Sequence, residues 1–142
     1  MTDQYNKKLV YTAMTKHLFY FRVHISKFVV EQGGVPLNPF MIFDYFLLDT
    51  VDRHEVRAGN NTIVARSDEI WVFGPVSNGV LAEINLAKQL NKPTRYFKVA
   101  NSRDIVEITK DEAYFEDEVA EHKGTLEKWK QKPSQYYSSV LR

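Results

Sequence analysis

An open α/β sheet, largely parallel and flanked by helices, is the architecture that this 142-residue sequence predicts. Three observations point to it. Short apolar runs recur at "KKLVYTAM" (7–14), "EIWVFG" (69–74) and "PTRYFKV" (93–99). Segments with helical spacing lie between them, and that alternation is what parallel strands joined by crossover helices require. Composition agrees: 44% hydrophobic and 13% aromatic residues suffice for one substantial core.

The elements follow in order. Residues 7–14 read as a buried strand, and residues 17–32 carry Leu18, Phe21, Ile25, Phe28 and Val29 at helical spacing. The glycines of "EQGG" (31–34) stop that helix, and "VPLNPF" (35–40) reads as a short, proline-limited strand and loop. Residues 41–66 mix dense apolar residues with a charged middle, and Gly59 is expected to mark a break or bend between two helical pieces. Residues 69–74 form a strand, the stretch from Ser77 a helix, and 93–99 a further strand. The whole is a Rossmann-like or flavodoxin-like open sheet over residues 1–100. Residues 101–142 are expected to be a helical appendage, part of the same unit or packed on a neighbouring subunit. Its acidic half (108–124) and basic half (125–142) read as solvated helix faces, or, through Trp129, Tyr136 and Tyr137, as a subunit contact.

Nineteen Lys and Arg against eighteen Asp and Glu leave a net charge of +1, so nothing in the composition calls for a nucleic acid polymer or a membrane surface. No cysteine is present, which removes disulfides, thiol nucleophiles and thiolate metal sites and fits a reducing cytoplasm. No stretch approaches the roughly 20 apolar residues that span a bilayer, and the N-terminus lacks an apolar signal core, so a soluble, unprocessed cytoplasmic protein is expected. His17, His24, His54 and His122 are scattered without ligand spacing, and no metal is expected. Neither G-x-G-x-x-G nor G-x-x-x-x-G-K-[ST] occurs, and no cofactor is called for. Without a G-x-S-x-G elbow, Ser77 reads as a helix cap.

One residue stands out. With about 100° per residue, Asn85, Lys88 and Gln89 fall on one side of the helix after Ser77, and Val80, Leu86, Ala87 and Leu90 on the other. Glu83 lies in the middle of the apolar side, where an unpaired charge is costly. It either pairs with a buried Arg or reaches an edge, or it is an ionised nucleophile held at the carboxyl end of a parallel strand, where open α/β sheets bind ligands. The helix N-terminus there favours an anionic group such as phosphate.

The segment "ARSDEIWVFGPVSNGVLAEINLAKQLNKPTRYF" (65–97) resembles the signature region of the nucleoside 2-deoxyribosyltransferase-like superfamily, which includes 2'-deoxynucleoside 5'-phosphate N-hydrolases. The shared features are an Asp-led strand (Asp68), a Ser-x-Gly loop (Ser77, Gly79), a Glu six residues after that Ser (Glu83) and a small-residue helix (Ala87). "VYTAMTK" (10–16) is similar to the family's first strand and loop and makes Tyr11 its tyrosine. The resemblance implies that Glu83 attacks C1' of a nucleoside or nucleotide, with Tyr11 orienting it. Asn60 and Asn61 then contact the base or sugar, while Ser77, Asn78 and the Gly79 backbone hold the sugar or a 5'-phosphate. Thr15 and Lys16 donate to phosphate, and Phe40, in a loop after the second strand, stacks on the base or serves as a buried anchor. Trp71 and Phe73 are expected in the core, and a homodimer or larger assembly is implied.

Two positions depart from the family. Met14 stands where a glycine usually allows close backbone approach, and Asn60 stands eight residues before Asp68, where the related hydrolases place an acid that protonates the leaving base. An amide cannot supply that proton. Asp44 or Asp49 supplies it instead, or the chemistry is slow or absent. Two other readings are therefore open: a nucleotide-binding module without turnover, and an interaction subunit that works through its tail.

Overall fold

The computed structural model describes residues 5–43, 47, 50–101, 104–116 and 119. Five strands, β1 (Leu9–Met14), β2 (Val35–Leu37), β3 (Glu69–Phe73), β4 (Thr94–Ala100) and β5 (Asp104–Ile108), form one sheet in the order β2-β1-β3-β4-β5. The first four pair in parallel, with Tyr11 opposite Ile70 and Val72 opposite Tyr96, and β5 returns antiparallel along β4. The helices are α1 (Arg22–Glu31), α2 (Pro39–Ile42), α3 (Arg53–Arg66) and α4 (Asn78–Gln89). The fold is α/β and Rossmann-like. Chain order reverses between β1 and β3, since β1 leads outward to β2 and the chain then crosses back to β3; the crevice at the carboxyl ends of those two strands is where such sheets bind ligands.

Side-chain alternation along β1 divides the core. Val10 and Met14 point to one face, where Trp71, Phe73 and Phe97 meet Ile25 and Val29 of α1. Phe73 stacks on Phe97 at 4.9 Å between ring centroids, and Phe28 meets both edge-on. Tyr11 and Ala13 point to the other face, with Val64 of α3 and Val80, Leu81, Ile84 and Ala87 of α4. Trp71 and Phe73 are core residues, as expected. Across the outer strands Glu107 grips the Arg95 guanidinium at 2.7 and 2.9 Å, and that guanidinium lies over the Trp71 ring at 4.4 Å.

Several expectations need correction. The segment after residue 100 opens with β5, not with a helix: Ile105 and Glu107 alternate with Val106 and Ile108, a period of two that is hidden in so short a run. Residues 109–116 then return to the sheet, where Val76 pairs with Phe115, and Val119 is fully buried in the core beneath α3 and α4. The helix expected over 17–32 begins as a 3-10 turn, Lys16–Phe21, before α1. Within the short strand and loop expected over 35–40, the strand ends at Leu37, and a helical turn takes the place of the loop because Asn38 caps α2 through the Phe40 N–H and Pro39 sits in its first turn. Gly59 breaks nothing; α3 runs through it, and a Cβ there would lie 2.5 Å from the Phe43 ring, so the glycine makes room for packing. Asn85 is buried and Leu90 exposed, the reverse of their expected sides, because α4 lies against both the sheet and α3. Among the described residues no helix is long and apolar enough to cross a membrane, and no group of three or more His, Asp or Glu could hold a metal ion. Asp44, Asp49, Trp129, Tyr136 and Tyr137 lie outside the described residues.

Gly74 ends β3 with φ +75°, and a Cβ would fall 2.5 Å from Leu18 Cδ1. Gly74→Ala is therefore expected to lower stability by about 1–2 kcal/mol from the backbone alone, and by more if Leu18 cannot yield. The urea midpoint of unfolding checks this.

Candidate active site

β1 and α4 bring the decisive pair together. The Tyr11 hydroxyl donates to Oε2 of Glu83 over 2.5 Å, joining residues 72 positions apart in the sequence. Tyr11 is fully buried beneath the helices, and Glu83 is half-buried one and a half turns into α4. Ser77 caps that helix as expected, its Oγ accepting from the Val80 N–H at 3.2 Å. Asn78 and Gly79 form the first turn, and a Cβ on Gly79 would meet nothing nearer than Ser77 Oγ at 3.9 Å. Packing within the chain thus does not demand glycine there.

The electrostatics of the pair follow from its surroundings. Burial drives the Glu83 carboxyl up to about 7, against the opposing pull of the Tyr11 hydrogen bond and of the Arg57 charge. Burial and the adjacent carboxylate push the Tyr11 phenol well above its ordinary value, so it remains a donor. Glu69 makes a useful contrast. Its carboxylate, buried at the opposite end of the sheet, is also pushed up by desolvation, but Lys8 at 2.6 Å and Trp71 Nε1 at 2.9 Å together hold it below its ordinary value. At Glu69 a cation and an indole N–H in contact outweigh desolvation; at Glu83 a phenol and a more distant guanidinium do not.

Arg57 is the residue that sequence reasoning missed. It sits one turn before Asn60 on α3, which packs on α4, and its charge acts on both Glu83 and Tyr11. The available signal was the spacing of Arg57, Asn60 and Val64, a stripe on one face of that helix, but the expected break at Gly59 concealed it. Arg57 Nε and Asn60 Oδ1 are both buried without a hydrogen-bond partner among the described residues. Such atoms are costly to leave unpaired, and one is a donor, the other an acceptor.

The remaining candidates divide by location. Thr15 and Lys16 follow β1 directly, and the Met14–Phe73 register puts them at the same sheet end as the loop that leads to Ser77–Gly79. Thr15 is buried and caps the 3-10 turn, while Lys16 is exposed. Asn61 is half-buried on α3. Met14 points into the α1-side core, where Asn38 Nδ2 donates to its sulfur at 3.3 Å, so its bulk does not crowd the Tyr11 face. Phe40 lies in α2, not in a loop, and packs on the α1-side cluster with its ring edge-to-face against Phe19 at 5.7 Å. Asp68 accepts from the Leu9 N–H at 2.8 Å, tying β3 to β1 at the far end of the sheet. At the near end, Glu116 N–H donates to Val76 O, and its carboxylate lies 3.9 Å from His17, so residues 114–116 border the same loop.

A family model described as a domain of unknown function, DUF7768, matches residues 10–97, well over half of the chain. The chain belongs to the DUF7768 family. No curated protein matches it. The DUF7768 segment runs from β1 into β4 and encloses Tyr11, Arg57, Asn60, Ser77 and Glu83; β5 and the returning segment lie beyond it.

The raised Glu83 carboxyl gives a stability signature. Between about 4.5 and about 7 the folded protein holds a proton that the unfolded chain has released, so stability falls as pH rises through that window and is level above it. The full drop is on the order of 3 kcal/mol. Glu83→Gln should flatten it, and Tyr11→Phe, which deletes the hydrogen bond that favours the carboxylate, should move its upper end above pH 7. Urea unfolding across a pH series measures all three curves.

Proposed function

We propose that this DUF7768 chain acts on the N-glycosidic bond of a nucleoside or nucleotide, by hydrolysis or by transfer, through a glycosyl intermediate on Glu83. The observation that carries the reading is the desolvated Glu83 carboxylate held by Tyr11, with the unpaired Arg57 Nε and Asn60 Oδ1 on the neighbouring helix. The likeness of residues 65–97 to the nucleoside 2-deoxyribosyltransferase-like superfamily supports it. In the first step Oε1 of Glu83 bonds to C1' while the C1'–N bond breaks, and the base departs with the bonding electron pair. Water or a second base then attacks C1' and returns the carboxylate. Tyr11 holds Oε2 and leaves Oε1 to react. The first turn of α4, with Ser77, Asn78 and Gly79, receives the sugar or a 5'-phosphate, helped by Thr15 and Lys16. A cytoplasmic homodimer or larger assembly belongs to the same reading.

Incubation with deoxynucleosides and deoxynucleoside monophosphates, followed by chromatography for free base, tests it. Glu83→Gln should abolish release while leaving the fold intact, and parent-like turnover by that variant overturns the assignment. Because the nucleophile must be ionised, kcat/KM should rise with pH through about 7 rather than through the ordinary carboxylate range.

Asn60 favours a second reading, a nucleotide-binding module, because an amide cannot protonate the leaving base. Asn60→Asp separates the two. If the pocket is catalytic, base release should rise by on the order of 10²–10⁴-fold at a pH where the new carboxyl keeps its proton, and fall away once it ionises. If parent and variant bind a nucleotide and release no base from any substrate tried, the binding module stands.

A further inference from the structure

A concave site lies toward the carboxyl end of α4. Between the carboxyl-terminal half of that helix and the outer strands is a groove of about 470 Å³. Its floor is apolar, formed by Ile84, Tyr96 and Ile108, and Lys88, Lys92 and Lys110 stand on its walls. Glu107 is the one acidic residue among the described residues that line it. Its carboxylate, however, is bound by Arg95, whose guanidinium lies over Trp71, on the α1 side of the sheet. Ile108 and Tyr96 belong to the opposite face, with Ile84. Arg95 also lines the groove, so the charge of the acid is matched within the wall, and Lys88 and Lys92 stand beside an apolar floor. The Tyr96 hydroxyl, its pKa pushed up to about 12 by burial, adds a neutral donor.

We propose that this groove binds an organic polyphosphate, a flat apolar body carrying two or three phosphate groups, at a site separate from Glu83. The volume falls within the range of small-molecule sites, and a floor of aliphatic and aromatic side chains with polar groups placed at its rim is their usual composition. Lysine ammoniums bind phosphate as point charges, and two of them on one wall favour a ligand of multiple charge over a monoanion. Lys88 and Lys92 flank the carboxyl end of α4, where a cation also complements the helix dipole. That role alone does not explain the apolar floor beside them. The same helix carries Glu83 in its first half and Ile84 on the groove floor, so an occupant touches the element that bears the carboxylate.

ATP is the probe, with tripolyphosphate and adenosine as its two halves, titrated calorimetrically against the full chain. ATP should bind more tightly than either half, and the double variant Lys88→Gln/Lys92→Gln should weaken it by on the order of tenfold or more. Raising the ionic strength should weaken it as well. Glu83→Gln should leave ATP binding unchanged, which distinguishes the groove from the glycosidic site: loss of base release alone, or of groove binding alone, identifies which reading has failed. Absence of ATP binding at millimolar concentration, insensitivity to the lysine pair, or loss on Glu83→Gln overturns the proposal. Equal affinity for ATP and tripolyphosphate overturns the role given to the apolar floor.

Discussion

A desolvated carboxylate with no cation in contact among the described residues is the constraint on which the arrangement of this protein turns. Glu83 has the Tyr11 phenol as its hydrogen-bond donor, and Arg57 acts on it only through its field. The elements that satisfy it are far apart in sequence: β1 supplies the phenol, α3 the charge and α4 the carboxylate. They meet only because β3 inserts beside β1 and its following helix lies on the Tyr11 face. A fold that ordered these strands otherwise would lose the two groups that oppose burial, and the carboxyl would keep its proton to a still higher pH.

The sheet keeps two electrostatic regimes apart. At its amino end, Lys8, Glu69, Trp71, Arg95 and Glu107 form a run of contacts across four strands, each charge matched by a neighbour. On the Tyr11 face, Arg57 Nε and Asn60 Oδ1 of α3 have no partners among the described residues. Matched charges serve packing and register. Polar atoms with no partner among the described residues serve neither, and the two on the helix beside Glu83 support a ligand-binding reading of that region.

Much of this was legible in the sequence. The strand–helix alternation revealed the parallel core, Ser77 read as a cap is a cap, and the apolar position of Glu83 together with the family likeness led to its contact with Tyr11. What escaped notice has physical causes. Gly59 reads as a breaker because glycine is a poor helix former, yet the space it leaves is filled by Phe43, and tertiary packing outweighs a propensity of about 1 kcal/mol. Arg57 went unseen behind that supposed break. A helical wheel places Asn85 toward solvent because it assumes one buried face, whereas α4 has two. β5 is five residues long and flanked by charge, too short for periodicity to register.

The pairing of Val76 with Phe115 bears on how the chain is made. Domains fold as units while the ribosome delivers them from the amino end. Here the central strands emerge early, but β4 has no outer neighbour until Asp104–Ile108 appears, and Val119 enters the core later still. The nascent chain therefore carries an open hydrogen-bonding edge and an unfilled hydrophobic seam over the interval in which residues 98–119 are added. Exposed edges of this kind are where chains recruit one another. A segment cut at the limits of the DUF7768 match would keep that immature state permanently: it would hold the tyrosine and the glutamate, and lack both the strand that covers the β4 edge and the valine that fills the core.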